Sequence, residues 1–129
     1  MKFQVFIDGA EGTTGLKIHQ RFMHRDDIKV INIHEDKRKD LDARLAAIKE
    51  SDVTFLCLPD VASKEISALA PKEARLIDTS TAHRTNEAWV YGLPELCKGQ
   101  RDRIRNSNRV AVPGCHATGF ILLVRPLIE

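Results

Sequence analysis

Aromatic side chains are scarce in this chain: one Trp, one Tyr and five Phe in 129 residues are too few for a platform on which nucleic-acid bases stack. A dominant charge sign is missing as well. Twenty basic residues stand against eighteen acidic ones, a net charge of +2, and no Lys/Arg block covers a face, so nucleic acid is not an expected partner. No apolar run approaches the ~18 residues of a membrane span, and the opening Met1-Lys2-Phe3-Gln4 lacks a secretory pattern. Cys57, Cys97 and Cys115 are an odd number without C-x-x-C spacing, which argues against a disulfide framework or zinc site and for a reducing, cytoplasmic setting. The five histidines show no ligand spacing, and no metal is expected.

What is present suffices for one domain: 43% of the residues are hydrophobic, enough to bury a core. The apolar run at 3–7 predicts a strand that feeds into Asp8-Gly9-Ala10-Glu11-Gly12-Thr13-Thr14-Gly15, after which Leu16, Ile18, Phe22 and Met23 recur at helical spacing. Strand, glycine turn and helix form the context of a dinucleotide-binding loop. In that reading Gly9 permits the turn, Gly12 lets a pyrophosphate reach the backbone and Gly15 lets helix and strand pack closely. The spacing is G-x-x-G-x-x-G, a variant of the G-x-G-x-x-G fingerprint. Thr13 and Thr14 bring hydroxyls to the helix start, to cap it or to reach a phosphate.

A second strand is predicted over 28–33, ending in His34-Glu35-Asp36-Lys37-Arg38-Lys39. Two signals overlap there: the acids suit the ribose hydroxyls of NAD, whereas the bases suit the 2′-phosphate of NADP. Asp40 caps a predicted helix whose Leu41, Leu45 and Ile48 share a face and which Ser51-Asp52 closes. The apolar run 53–58 reads as a strand buried on both faces, with Cys57 in the core. Pro59-Asp60 ends it, and Asp60 is the expected cap of a helix over 61–69. A fourth strand at 76–78 is followed by the polar stretch Thr79-Ser80-Thr81-Ala82-His83-Arg84. Residues 89–96 form a turn-rich connection, Cys97 has no partner in sight, and Asn106-Ser107-Asn108 leads into a last strand at 109–112. No repeat or low-complexity linker interrupts this order. Alternating strands and helices imply the α/β class with a doubly wound parallel sheet, whose carboxyl rim gathers the glycine loop, Leu58-Pro59, Ser80 and Cys115.

The last strand meets Pro113-Gly114 and then Cys115, before an apolar segment, 120–128, expected to be a buried helix interrupted by Pro126. A thiol on an elbow between strand and helix has chemical possibilities, because first-turn N–H groups favour thiolate and can hold an oxyanion. The plainer alternative is a small residue in a tight turn.

Several of these stretches, 9–15, 56–60, 77–84, 92–96 and 112–119, together resemble N-acetyl-γ-glutamyl-phosphate reductase in the shorter of its two sequence types, a family related to aspartate-semialdehyde dehydrogenase. The resemblance runs from Met1 to Glu129, with the motifs in the family's order and spacing. It implies a Rossmann-like NADP-binding domain at 1–112, the start of the catalytic region at 113–129, and a second catalytic domain missing from this chain. The implied reaction is the NADPH-dependent reduction of N-acetyl-γ-glutamyl phosphate to N-acetylglutamate 5-semialdehyde with release of phosphate, a step of arginine biosynthesis.

Carried over residue by residue, Cys115 matches the nucleophile. Gly9, Gly12, Thr13, Thr14 and Gly15 match the pyrophosphate loop, Arg38 and Lys39 the region of the 2′-phosphate, and Leu58, Pro59 and Ser80 the cofactor side of the rim. His83 and Arg84 match the substrate side. The family's members are longer and carry their general acid–base histidine in their second half, so the base is expected beyond Glu129 and His116 does not take that role by adjacency alone. A truncated chain or the amino-terminal part of a larger, homo-oligomeric enzyme is expected. Alternatives are an acyl-phosphate reductase of the aspartate-semialdehyde dehydrogenase kind, or a non-catalytic module that binds NADP or senses redox state through Cys115.

Overall fold

The computed structural model describes residues 1–128. Six parallel strands form one sheet in the order β2-β1-β3-β4-β6-β5: β1 (Phe3–Asp8), β2 (Ile28–Ile31), β3 (Val53–Leu56), β4 (Leu76–Asp78), β5 (Val90–Tyr91) and β6 (Arg109–Ala111). The helices are α1 (Thr13–Phe22), α2 (Leu41–Glu50), α3 (Asp60–Leu69), α4 (Gln100–Arg105) and α5 (Cys115–Val124). This is the doubly wound parallel sheet that the alternation of elements predicts.

Side chains alternate across the sheet, and each face finds a different partner. Phe6, Leu56 and Leu76 pack with Ala47 and Ile48 of α2 and Ile66 of α3 in the main core. On the other face Phe55 meets Phe22 of α1, with ring centroids 5.6 Å apart. Asp40 caps α2 as expected, accepting a bond from the Ala43 N–H at 3.3 Å.

Register decides where the strands stop together. Asp8 pairs with Leu56, Leu56 with Asp78, and Asp78 with Ala111. The residues that follow, Gly9, Cys57, Thr79 and Val112, therefore leave the sheet on one line. The chain turns one way from β1 to β2 and the other way to β3, and such a switch point is where open α/β sheets hold ligands.

Several expectations need correction. β2 ends at Ile31 rather than residue 33: its ladder with β1 runs from the Phe3–Ile28 pair to the Phe6–Ile31 pair and stops there, two residues before β1 itself ends. β3 ends at Leu56 rather than residue 58, and Cys57 is half-buried at the rim, not in the core. Asp60 does not cap α3; Pro59 occupies that position. The Asp60 carboxylate instead accepts from the N–H (3.0 Å) and hydroxyl of Thr81, and that hydroxyl holds the carboxyl below its usual range. β5 arises within the stretch 89–96 read as a connection, and α4 in the residues after it, where the sequence predicts no element. They have little apolar pattern of their own, and the buried Gln100 joins them by donating to the Tyr91 carbonyl at 2.6 Å.

The final helix departs most. It starts at Cys115, ends at Val124 and has no buried residue, with Phe120 67% and Leu123 76% exposed. Apolar composition predicts burial only where another element covers the face; the short turn at Pro94–Leu96 touches α5, and Thr118, Ile121 and Val124 are no more than half-buried.

Candidate active site

Two features share the carboxyl rim: a cavity beside the glycine loop and an exposed thiol at the start of α5. Gly9 turns the chain with φ +86°, and a methyl group there would lie 2.3 Å from the Cys57 carbonyl oxygen. At Gly15 a methyl would lie 2.3 Å from the Gly9 oxygen. Gly15 therefore packs α1 under the loop itself, not against the strand as expected. Gly12 is different: its own Cβ would meet only the Gly9 oxygen, at an ordinary 3.5 Å, so the protein interior does not require glycine there. Gly12 is the N-cap of α1, with no side-chain cap and no acidic residue in the first turn. The exposed Thr13 and Thr14 follow it, and the first-turn N–H groups there carry partial positive charge.

The cavity, about 650 Å³, runs from Gly9, Ala10 and Glu11 to the connection after β2, where Asn32, Glu35, Asp36, Arg38 and Lys39 line it. Leu58 forms part of its wall, whereas Pro59 and Ser80 do not. Arg38 pairs with Glu11, with Glu35 at 4.0 Å. Among the lining residues that sequence reasoning missed are Asp8 and Arg44. Arg44 Nη2 lies 2.7 Å from Asp8 Oδ2, and Nε lies 3.0 Å from the same oxygen. An acid closing an apolar strand was a visible signal for Asp8, but its partner lies 36 residues away and had none.

Around β4 the polar stretch folds inward. The Asp78 carboxylate, fully buried, accepts from Ser63 Oγ (3.0 Å), Ser80 N–H (3.0 Å), Ser80 Oγ (2.8 Å) and His83 Nδ1 (2.6 Å). His83 is also stacked on Trp89 at 3.9 Å between ring centroids. The sequence reading placed His83 with the substrate; the structure buries it beneath the rim. Ser80, placed with the cofactor, has its hydroxyl engaged by Asp78. Arg84 does reach the rim: Nε donates to the Val112 carbonyl at 2.9 Å and Nη2 to Thr79 at 3.4 Å. Its Nη1 lies so close under Gly114 that a methyl there would be 2.9 Å away. The arginine thus ties the β4 loop to the elbow that carries Cys115.

Cys115 is exposed, first in α5, with Gly114 as N-cap and no acidic residue in the first turn. His116 Nδ1 lies 3.5 Å from its sulfur. Cys97 is exposed, with its sulfur 3.8 Å from Gln100 Oε1. Burial pushes the Cys57 thiol up, helped by the Asp8 and Asp78 carboxylates and opposed by Thr79. Less thiolate at Cys57 means slower alkylation. Iodoacetamide near neutral pH is expected to modify Cys115 at least about tenfold faster than Cys57, as read by peptide mass spectrometry; equal rates would contradict the half-buried placement.

Comparisons with known proteins place this geometry. The family described as semialdehyde dehydrogenase, NAD binding domain, matches residues 4–107. The N-acetyl-gamma-glutamyl-phosphate reductase of Brucella ovis is 51% identical over 131 residues, covering 100% of this chain and 42% of that protein. Its counterpart in Trichormus variabilis is 49% identical, covering 98% and 40%. The chain therefore spans about two-fifths of the length of these curated relatives. Among solved structures, aspartate semialdehyde dehydrogenase II of Vibrio cholerae, complexed with ASA, superposes with a TM-score of 0.71 at 17% identity, over 98% of this chain and 46% of that one. The enzyme from Francisella tularensis gives 0.60 at 14%, over 87% and 36%. At those identities the likeness concerns the fold.

Proposed function

This chain belongs to the semialdehyde dehydrogenase, NAD-binding domain family, and from that premise we propose that it is the dinucleotide-binding and thiol-bearing part of an N-acetyl-γ-glutamyl-phosphate reductase. The observation that carries the reading is the placement of Cys115, exposed at the first turn of α5 on the same sheet rim as the glycine loop.

A nicotinamide dinucleotide fits the residues present. The close contacts at Gly9 and Gly15 shape a turn that holds N–H groups forward, and Gly12 leaves space that the loop's own packing does not need. Gly12 to Gly15 would hold the pyrophosphate, and the cavity lined by Leu58, Arg38 and Lys39 would hold the adenosine end, with the bases favouring NADP(H). When bound, the cofactor supplies the hydride of the reduction.

The remaining chemistry rests on this chain's side chains. The Cys115 thiolate attacks the acyl carbon of the acyl phosphate; a C–S bond forms, the C–O bond to phosphate breaks, and inorganic phosphate leaves a thioester. First-turn N–H groups of α5 are placed to receive the oxyanion. Arg84, bound to the Val112 and Thr79 carbonyls, holds the elbow, and its charge near Cys115 would favour the leaving phosphate. Three free cysteines are consistent with a cytoplasmic enzyme.

The test is covalent trapping. Incubation with N-acetyl-γ-glutamyl phosphate is expected to add one acyl group at Cys115, with one phosphate released per chain, and neither in Cys115→Ser. An adduct on Cys57 or Cys97, or none at all, would overturn the assignment.

A further inference from the structure

Four acids, Asp8, Glu11, Glu35 and Asp36, and three bases, Arg38, Lys39 and Arg44, line the cavity beside the glycine loop. A site with more negative than positive groups is a poor place for an added phosphate unless particular pairs rearrange. The pairs differ in how readily they can. Arg44 and Asp8 are largely buried, with side chains 17% and 7% exposed, and joined through both Nε and Nη2. Separating them would strand a charge in a half-dry wall, so this pair stays closed. Glu11 and Arg38 are 71% and 44% exposed, and a pair so exposed is weak and exchangeable. Among the described residues Lys39 has no ion-pair partner.

Glu11 belongs to the glycine loop and Arg38 to the connection after β2, so their contact spans the two segments between which the adenosine ribose would lie. Resting on the reading of the cavity as a dinucleotide site, we propose that Glu11 sets the discrimination between dinucleotides with and without a 2′-phosphate. It does so by occupying the Arg38 guanidinium that the phosphate must claim. A ligand carrying that phosphate exchanges one anionic partner of Arg38 for another and displaces the carboxylate into water. A ligand with a free ribose hydroxyl leaves the Glu11–Arg38 pair in place.

The experiment is calorimetric titration of the 129-residue chain with NADP+, NAD+, 2′,5′-ADP and 5′-AMP, using the wild type, Glu11→Gln, Arg38→Gln and the double variant. Glu11→Gln is expected to tighten NADP+ and 2′,5′-ADP by about two- to fivefold, while NAD+ and 5′-AMP change less than that. Arg38→Gln is expected to weaken the 2′-phosphate ligands, and adding Glu11→Gln to it should then have no effect. Equal tightening of all four ligands, no tightening, or a Glu11 effect that persists without Arg38 would overturn the inference while leaving the dinucleotide reading intact. A wild-type chain that binds none of the four would overturn both.

Discussion

Asp78→Ala is expected to lower the unfolding free energy by about 3–5 kcal/mol, the range for removing one partner from a buried charged network. Four donors converge on that carboxylate, which has no exposed surface. Alanine would leave the Ser63 hydroxyl and His83 Nδ1 unpartnered where water cannot replace the lost oxygen atoms. Asp78→Asn is expected to recover only part of the loss, because its one amide oxygen cannot serve donors that arrive at both carboxylate oxygens. Urea unfolding reads the effect as a lower midpoint at unchanged slope. A loss below about 1 kcal/mol would place the network within the range of ordinary single hydrogen bonds. The consequence reaches the rim, since the loop that Asp78 anchors carries Arg84, which holds the elbow below Cys115.

Gly9→Ala is the second large effect, and the fold contains its own control. Gly9 and Gly99 have nearly the same left-handed backbone, φ +86° and +84°, but a methyl at Gly99 would meet nothing within 4 Å. Gly99→Ala is therefore expected to show the conformational penalty alone, about 1–2 kcal/mol. At Gly9 the methyl would also strike the carbonyl of Cys57, the residue just after β3, which its own N–H bond to the Asp8 carbonyl holds in place, so overpacking adds about 1–3 kcal/mol. The difference between the two variants in urea unfolding isolates the contact. Gly9→Ala should also lose dinucleotide affinity in titration, which Gly99→Ala should not. Equal destabilisation by the two would mean that the loop can shift away from β3.

The local reading succeeded where a short segment carries its own constraint. A polar cap before an amphipathic run starts α2 after Asp40, and Gly9, directly after an apolar strand, takes a left-handed turn that glycine adopts most easily. The thiol between Pro113-Gly114 and an apolar run had to stand near a strand-to-helix junction, and Cys115 opens α5. Other assignments failed where the deciding partner is distant in the chain. His83 has the composition of a rim residue, yet Asp78, Trp89 and Ser67 take it into the interior.

By itself, then, the sequence determined the alternation of strands and helices, the glycine turn after β1 and the elbow that bears Cys115, because each depends on backbone preferences over a few residues. The tertiary structure alone decided which polar groups face the rim and which are buried, the pairing of Asp8 with Arg44 and of Glu11 with Arg38, the short strand β5, and the exposure of α5. Those outcomes depend on which surfaces meet, and a residue's own identity does not contain the identity of what packs against it.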